Sequence, residues 1–134
     1  MLSPLHSDID GGYVYSVQND GVGPAIIRFV DIRLDNKPIE DWGDLFTELG
    51  LNKESIGPYS TLSNRVIAAG ARIDAIRLSN LAAGAKYREN FNRIQIEICY
   101  CSIYQDCYQY STARSPTTEF IASCPAYAQQ TFSN

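Results

Sequence analysis

The chain is poor in the residues that most often carry chemistry. Its 134 residues include one histidine, one methionine and one tryptophan. The sole imidazole, His6, lies in a polar lead-in, so a Ser–His or Cys–His nucleophile has no other base to draw on. Gly21-Val22-Gly23-Pro24 lacks both a following lysine and a helix start, so it reads as a turn and not as a phosphate loop. No apolar run approaches the roughly 18 residues that cross a bilayer as a helix. The start, Met1-Leu-Ser-Pro-Leu-His6, lacks the charged and apolar regions of a secretory signal. Basic residues are scattered, the net charge is −4 and the pI is near 4.8. A polyanion such as a nucleic acid or an anionic membrane is therefore not attracted over long range. Internal repeats, heptad runs, low-complexity blocks and cofactor motifs are all missing, and no cofactor is expected.

What is present points to β-structure. An apolar content of 45% and a mean hydropathy of −0.20 suit one globular domain of this length. Ile94, Ile96, Ile98 and Tyr100 alternate with Arg93, Gln95, Glu97, Cys99 and Cys101, the period of a half-buried strand. The polar break at Gln105-Asp106 turns the chain into a second run, Cys107 to Tyr110, so the unit reads as a hairpin. Alternation also predicts strands from Gly12 to Asn19 and from Ala25 to Leu34, the second with Ile27, Phe29 and Asp31 on one face. The first is closed by the turn-forming Asn19-Asp20-Gly21-Val22-Gly23-Pro24 and the second by Asp35-Asn36-Lys37-Pro38.

Trp42, Leu45, Phe46 and Leu49 recur at helical spacing, with Asp41 placed as N-cap and Gly50 as the left-handed stop. A helix over about residues 40–50 follows. Asn52 to Asn64 reads as a loop rich in Ser, Gly and Pro, and Arg65 to Leu78 as strand, tight Gly turn and strand. Leu81 to Asn92 reads as a connection with one helical turn over Lys86 to Phe91, and Thr117 to Ser123 as a last strand after a turn at Arg114-Ser115-Pro116. Short strands at even spacing predict an antiparallel sandwich over residues 12–124, with a flexible arm at 1–11 and a loose tail at 125–134.

The four cysteines, Cys99, Cys101, Cys107 and Cys124, decide the compartment. Cys101 and Cys107 flank the hairpin connection and fall within reach of a disulfide, leaving Cys99 for Cys124. The alternative, a zinc site, lacks a Cys-x2-Cys pair and has no histidine nearby. Disulfides imply an oxidising space. That conflicts with the missing signal, and we resolve it by expecting an anchor or signal upstream of Met1. Reduced thiols in a cytoplasmic protein are the alternative.

Two stretches carry a resemblance: Asn19-Asp20-Gly21-Val22-Gly23-Pro24-Ala25-Ile26-Ile27 with the Trp-bearing helix after it, and Ile96-Glu97-Ile98-Cys99-Tyr100-Cys101-Ser102-Ile103-Tyr104-Gln105-Asp106-Cys107-Tyr108. Over residues 12–122 the pairing resembles a group of uncharacterised bacterial proteins with one N-terminal membrane helix and a small immunoglobulin-like sandwich outside the inner membrane. The resemblance implies that fold, with one inserted helix, and a periplasmic or extracellular location. It supplies no catalytic residues, and this chain departs from it in lacking the membrane helix.

The expected function is that of a non-catalytic binding or accessory module presenting loops or an edge strand to a protein partner. Tyr104, Gln105, Asp106 and Tyr108 at the hairpin tip are the first candidate surface, and Asn19 and Asp20 the second. Glu40, Asp41, Asp44 and Glu48 read as charges complementing the helix N-terminus. The rivals are a cell-envelope hydrolase using that acidic cluster, and a purely structural extracytoplasmic domain.

Overall fold

The computed structural model describes residues 2–9, 12–51, 56–59, 62–78, 81–112, 117–126 and 130–132. In chain order the elements are β1 (Leu2–Ile9), β2 (Gly12–Asn19), β3 (Ala25–Leu34), β4 (Lys37–Pro38), α1 (Trp42–Glu48), β5 (Ile56–Tyr59), β6 (Val66–Ile67), β7 (Arg72–Leu78), α2 (Leu81–Glu89), β8 (Ile94–Ser102), β9 (Cys107–Ser111) and β10 (Thr117–Ile121). They form two antiparallel sheets, one in the order β1-β2-β7-β5 and the other β10-β9-β8-β3-β4, with β6 also paired to β3. Apolar side chains from both sheets meet in one core. Tyr13, Tyr15 and Val17 of β2 and Ile76 and Leu78 of β7 join Val30 and Ile32 of β3 and Ile94, Ile96 and Ile98 of β8.

The alternation read on β8 is the inward face of the central sheet, with Ile94, Ile96, Ile98 and Tyr100 all buried. On β3 the alternation is interrupted. A register shift between Ile27 and Phe29 moves the buried set from Ala25 and Ile27 to Val30, Ile32 and Leu34. A bulge inserts one extra residue, and with a period of two that exchanges the faces. Ile27 and Asp31 thus do not share a face as expected. Asp31 instead pairs with Arg33, Nε to Oδ2 at 2.9 Å.

Helix α1 follows its sequence signals closely. The Asp41 side chain accepts from the Asp44 N–H at 2.7 Å, capping the first turn. At the other end Gly50 takes φ +76°, Leu51 N–H donates to the Phe46 carbonyl at 2.8 Å, and Gly50 N–H donates to that of Thr47 at 3.0 Å. That double bond is a Schellman stop, and only glycine adopts its φ without cost. The helix presses Trp42 into the core, stacked on Phe46 and edge-on to Phe132 with centroids 5.4 Å apart.

Four expectations need correction. Residues 2–9 are no loose arm but the strand β1, paired along its length with β2. The Asn52–Asn64 stretch contains β5, whose Gly57-Pro58 is tolerated because an edge strand has one unpaired side. The connection after Leu78 is mostly the helix α2, seated where Gly84 meets Tyr13; a Cβ at Gly84 would lie 2.6 Å from the Tyr13 Cβ. The tail docks: Phe132 is buried, and Gln130 bonds three groups. The turn expected at Arg114-Ser115-Pro116 lies outside the described residues. Among the described residues no helix is long and apolar enough to cross a membrane.

Gln130 Oε1 accepts from Val30 N–H at 2.9 Å, and its Nε2 donates to Ser63 Oγ at 2.8 Å. Gln130→Ala leaves that strand donor without its acceptor, and we expect a loss of about 1–3 kcal/mol in urea unfolding. An unchanged midpoint would show the tail to be dispensable. A second prediction concerns alkali. Burial pushes the Tyr15 and Tyr87 phenols well above their ordinary value of 10.0. The folded chain keeps those protons while the unfolded chain releases them near pH 10, so this stability is present below pH 10 and lost as the pH climbs past it. Phenolate absorbance should show a late fraction of the nine tyrosines ionising only together with loss of far-UV structure.

Candidate functional site

Two loops converge at one end of the sheets. The β3–β8 ladder sets Ala25 opposite Ser102, so the turn entering β3 and the turn leaving β8 start side by side. Between them lies a cleft of about 580 Å³, lined by residues of both turns and by Tyr100, Tyr104, Asp106 and Tyr108.

Each turn is fixed from within. Asn19 is fully buried and saturated: its Nδ2 donates to the carbonyls of Gly23 and Ile67, both at 2.9 Å, while its Oδ1 accepts from Gly21 N–H at 2.9 Å. Asparagine does this because its side chain mimics a peptide group two residues on. Asp20 stays exposed and accepts a hydrogen bond from the Ser3 hydroxyl on β1. Val22 stands fully exposed at the tip. On the other side Ser102 Oγ accepts from Tyr104 N–H at 3.1 Å and Asp106 N–H at 3.3 Å, and Gln105 takes φ +65° to close the turn. That ordering holds Ile103 and Tyr104 out in solvent, with Tyr104 83% exposed.

The wall of the cleft is aromatic. Tyr100 is buried and its hydroxyl accepts from Leu2 N–H at 3.2 Å. Burial raises its phenol above the ordinary value, the Leu2 donor opposing that rise. Tyr108 stacks on Tyr100 at 5.6 Å, and Phe120 meets Tyr108 edge-on at 5.6 Å. These three rings stand on neighbouring strands in one cross-strand row, from core to solvent, and Phe120 is 66% exposed.

The cysteines occupy the opposite face of the same sheet. The alternation that turns Ile98 and Tyr100 inward turns Cys99 and Cys101 outward. Cys99 bonds Cys124 with S–S 2.04 Å, and Cys101 bonds Cys107 across the hairpin with S–S 2.10 Å. The sulfurs of Cys101, Cys107 and Cys124 lie within 4.8 Å of one another. A soft metal needs thiolates, and all four sulfurs are here oxidised in pairs.

The sequence candidates fare unequally. Tyr104, Asp106, Tyr108 and Asn19 all line the cleft. Asn19, however, serves by shaping the turn, since its side chain is buried with every polar atom engaged. Gln105 sets the turn geometry. Sequence reasoning offered the hairpin tip and the Asn19–Pro24 turn as separate surfaces, because only the β3–β8 register brings Tyr100 and Val22 to one cleft. In the acidic cluster, Asp41 and Asp44 are spent on capping, Asp44 Oδ2 also accepting from Glu40 N–H, while Glu48 lies 3.4 Å from Lys37 Nζ. A smaller depression of about 230 Å³ on the outer sheet face is lined by Asp31, Arg33, Gln95 and Glu97, with Asp31 and Arg33 already ion-paired.

Comparison with known proteins finds no match, either to a family model, to a curated protein or to a solved structure.

Asn19→Ala should remove three hydrogen bonds and leave the buried Ile67 carbonyl without its side-chain donor. We expect a loss of roughly 2–4 kcal/mol with the strands intact by circular dichroism. A variant as stable as the parent would mean that the turn is held by something other than Asn19.

Proposed function

We propose that the chain is a non-catalytic, extracytoplasmic binding module with an immunoglobulin-like fold, gripping an extended, neutral-to-basic segment of a protein partner in the cleft between its β2–β3 and β8–β9 loops. The strand order supports the fold reading. Lettered A, B, C, C′, D, E, F and G in chain order, β1, β2, β3, β4, β5, β7, β8 and β9 give sheets A-B-E-D and G-F-C-C′, the order of immunoglobulin sandwiches. In that scheme β6 and β10 are additions, and the cleft lies between the B–C and F–G loops, where antibody variable domains carry two of their recognition loops. Antibody domains place a tryptophan on C against a B–F disulfide. Here Trp42 comes from the C′–D connection, and the disulfides tie F to G and F to the chain beyond β10.

The observation that carries the binding reading is the convergence of two internally fixed loops on a cleft walled by tyrosines and an aspartate and lined, among the described residues, by neither lysine nor arginine. Tyrosine gives apolar area at small entropic cost, with a hydroxyl for the partner's backbone. Asp106, with Asp20 exposed on the neighbouring turn, favours a cation on the partner. Two disulfides favour a periplasmic or extracellular location. Four free thiols in the intact mass of protein purified from its natural host without reductant would overturn the location.

Selection of linear peptides on the intact, oxidised chain tests the binding reading. We expect enrichment of sequences pairing an aromatic or aliphatic residue with Lys or Arg. Tyr104→Ala should weaken a selected peptide at least tenfold, about 1.4 kcal/mol, while leaving the unfolding midpoint unchanged because Tyr104 is exposed. Peptides that bind the parent and Tyr104→Ala equally, or acidic peptides alone, would refute it.

A further inference from the structure

Beyond their pairing, the two disulfides are close enough to react with each other. Cys101 Sγ and Cys124 Sγ, which belong to different disulfides, lie 3.7 Å apart, close to van der Waals contact. The reason is topological. Cys101 faces outward from β8, and Cys99, two residues earlier on the same face, draws Cys124 down onto the sheet. The chain around Cys124 thus lies beside the hairpin disulfide.

We propose that these four cysteines form a thiol–disulfide exchange site whose co-substrate is a dithiol, with Cys101 and Cys124 as the pair through which the bond is transferred. A dithiol gives two electrons and two protons to one of the disulfides and becomes a disulfide itself; one protein disulfide and two thiols remain. If Cys101–Cys107 is opened, the Cys101 thiolate attacks Cys124 Sγ, the Cys101–Cys124 bond forms, the Cys99–Cys124 bond breaks, and Cys99 leaves with the electron pair. If Cys99–Cys124 is opened, the Cys124 thiolate attacks Cys101 Sγ and Cys107 leaves. This second step changes no oxidation state, because one disulfide is exchanged for another. Both routes end in the same species, with Cys101 bonded to Cys124 and with Cys99 and Cys107 as thiols. Cys124 is the most exposed of the four and offers the first point of entry.

The consequence reaches the cleft. Cys101–Cys107 closes the loop that presents Ile103, Tyr104 and Asp106, and the transfer releases that clamp; this part rests on the binding reading, whereas the exchange does not. A dithiol would then act on the grip of the module and not only on its stability.

Limited reduction of the intact chain with dithiothreitol, an acid quench, alkylation and peptide mapping by mass spectrometry tests the exchange without reference to any partner. At the stage of two thiols per chain, we expect label on Cys99 and Cys107 and a new linked peptide joining Cys101 to Cys124. Label confined to Cys101 and Cys107, or to Cys99 and Cys124, or release of all four thiols in one step, overturns the proposal. Cys107→Ser gives a second, reductant-free measurement. Its Cys101 thiol should distribute the label between Cys101 and Cys99, whereas a Cys99 that stays unlabelled rejects the transfer. If the exchange occurs and peptide binding is unaffected by it, the link from the disulfides to the cleft is refuted; if no peptide binds at all, the exchange stands and the binding reading fails alone.

Discussion

β3 and β8 are joined from Ala25 beside Ser102 to Leu34 beside Ile94, with one bulge at Arg28. That ladder decides three things at once. It sets the inward isoleucines of β8 against the second sheet, it turns Cys99 and Cys101 to the outer face, and it starts the two cleft-forming turns side by side. A slip of one residue would send the isoleucines into water and the cysteines into the core. At about 25 cal/mol per Å² of apolar surface, exposing these three side chains is too costly for the alternative register to compete. The geometry of the cleft end is therefore a by-product of core burial. Its further stabilisation is local, from the internal bonds of Asn19 and Ser102 and the Cys101–Cys107 disulfide.

The two faces of β8 consequently carry different kinds of stabilisation. Inward, burial dominates, and aromatic contacts from Trp42, Tyr87 and Phe132 close the end of the core around Phe46. Outward, covalent bonds take over, because a sheet face without a third layer has little apolar surface to bury. Cys99–Cys124 holds the segment after β10 on that face and closes a loop of 25 residues, while Cys101–Cys107 closes one of only 6. In the chain-entropy view the longer loop gives the larger restriction of the unfolded state, by a margin of about 1 kcal/mol. Restriction of the unfolded chain therefore falls mainly to Cys99–Cys124, and the Cys101–Cys107 bond acts mainly on the local shape of the hairpin turn.

Elements whose cause is local were legible in the sequence. Strands β2 and β8 alternate, β3 does so on either side of its bulge, and helix α1 carries its cap, its apolar stripe and its glycine stop within ten residues. The hairpin turn suggested only the Cys101–Cys107 pair, and Cys99–Cys124 was what remained. Elements whose cause is distant were not legible. Strand β1 contains a proline and two charged or titratable side chains and becomes a strand because β2 offers it an edge. Strand β5 reads as Gly-Pro loop chemistry, and only pairing with β7 makes it a strand. Helix α2 has little amphipathic contrast, and its Gly84 signals flexibility until the approach of Tyr13 is known. The candidate site divides in the same way. Exposed hairpin residues were found from composition, whereas the inward Tyr100 and the structural role of Asn19 required the tertiary register.

The far side of β3 shows how such a chain protects an incomplete edge. Two short partners cover only its ends, β6 at Ala25 and Ile26 and β4 at Arg33 and Leu34. The groups between them are met one at a time. Ile27 N–H donates to the Arg65 carbonyl at 2.9 Å, Ile27 carbonyl accepts from Asn64 N–H at 3.0 Å, and Val30 N–H donates to Gln130. Ile39 N–H closes the series on the Ile32 carbonyl at 2.9 Å. An unpaired row of this length would be a template for another strand. Covering it with loop backbone and one side chain from the tail removes that hazard without adding a strand. It also leaves β10, at the other end of the sheet, as the edge whose outer side none of the described strands pairs. That edge carries Phe120 beside the cleft, so an extended partner seated on the tyrosines would find backbone groups next to the aromatic row, and the two modes of recognition could be used together.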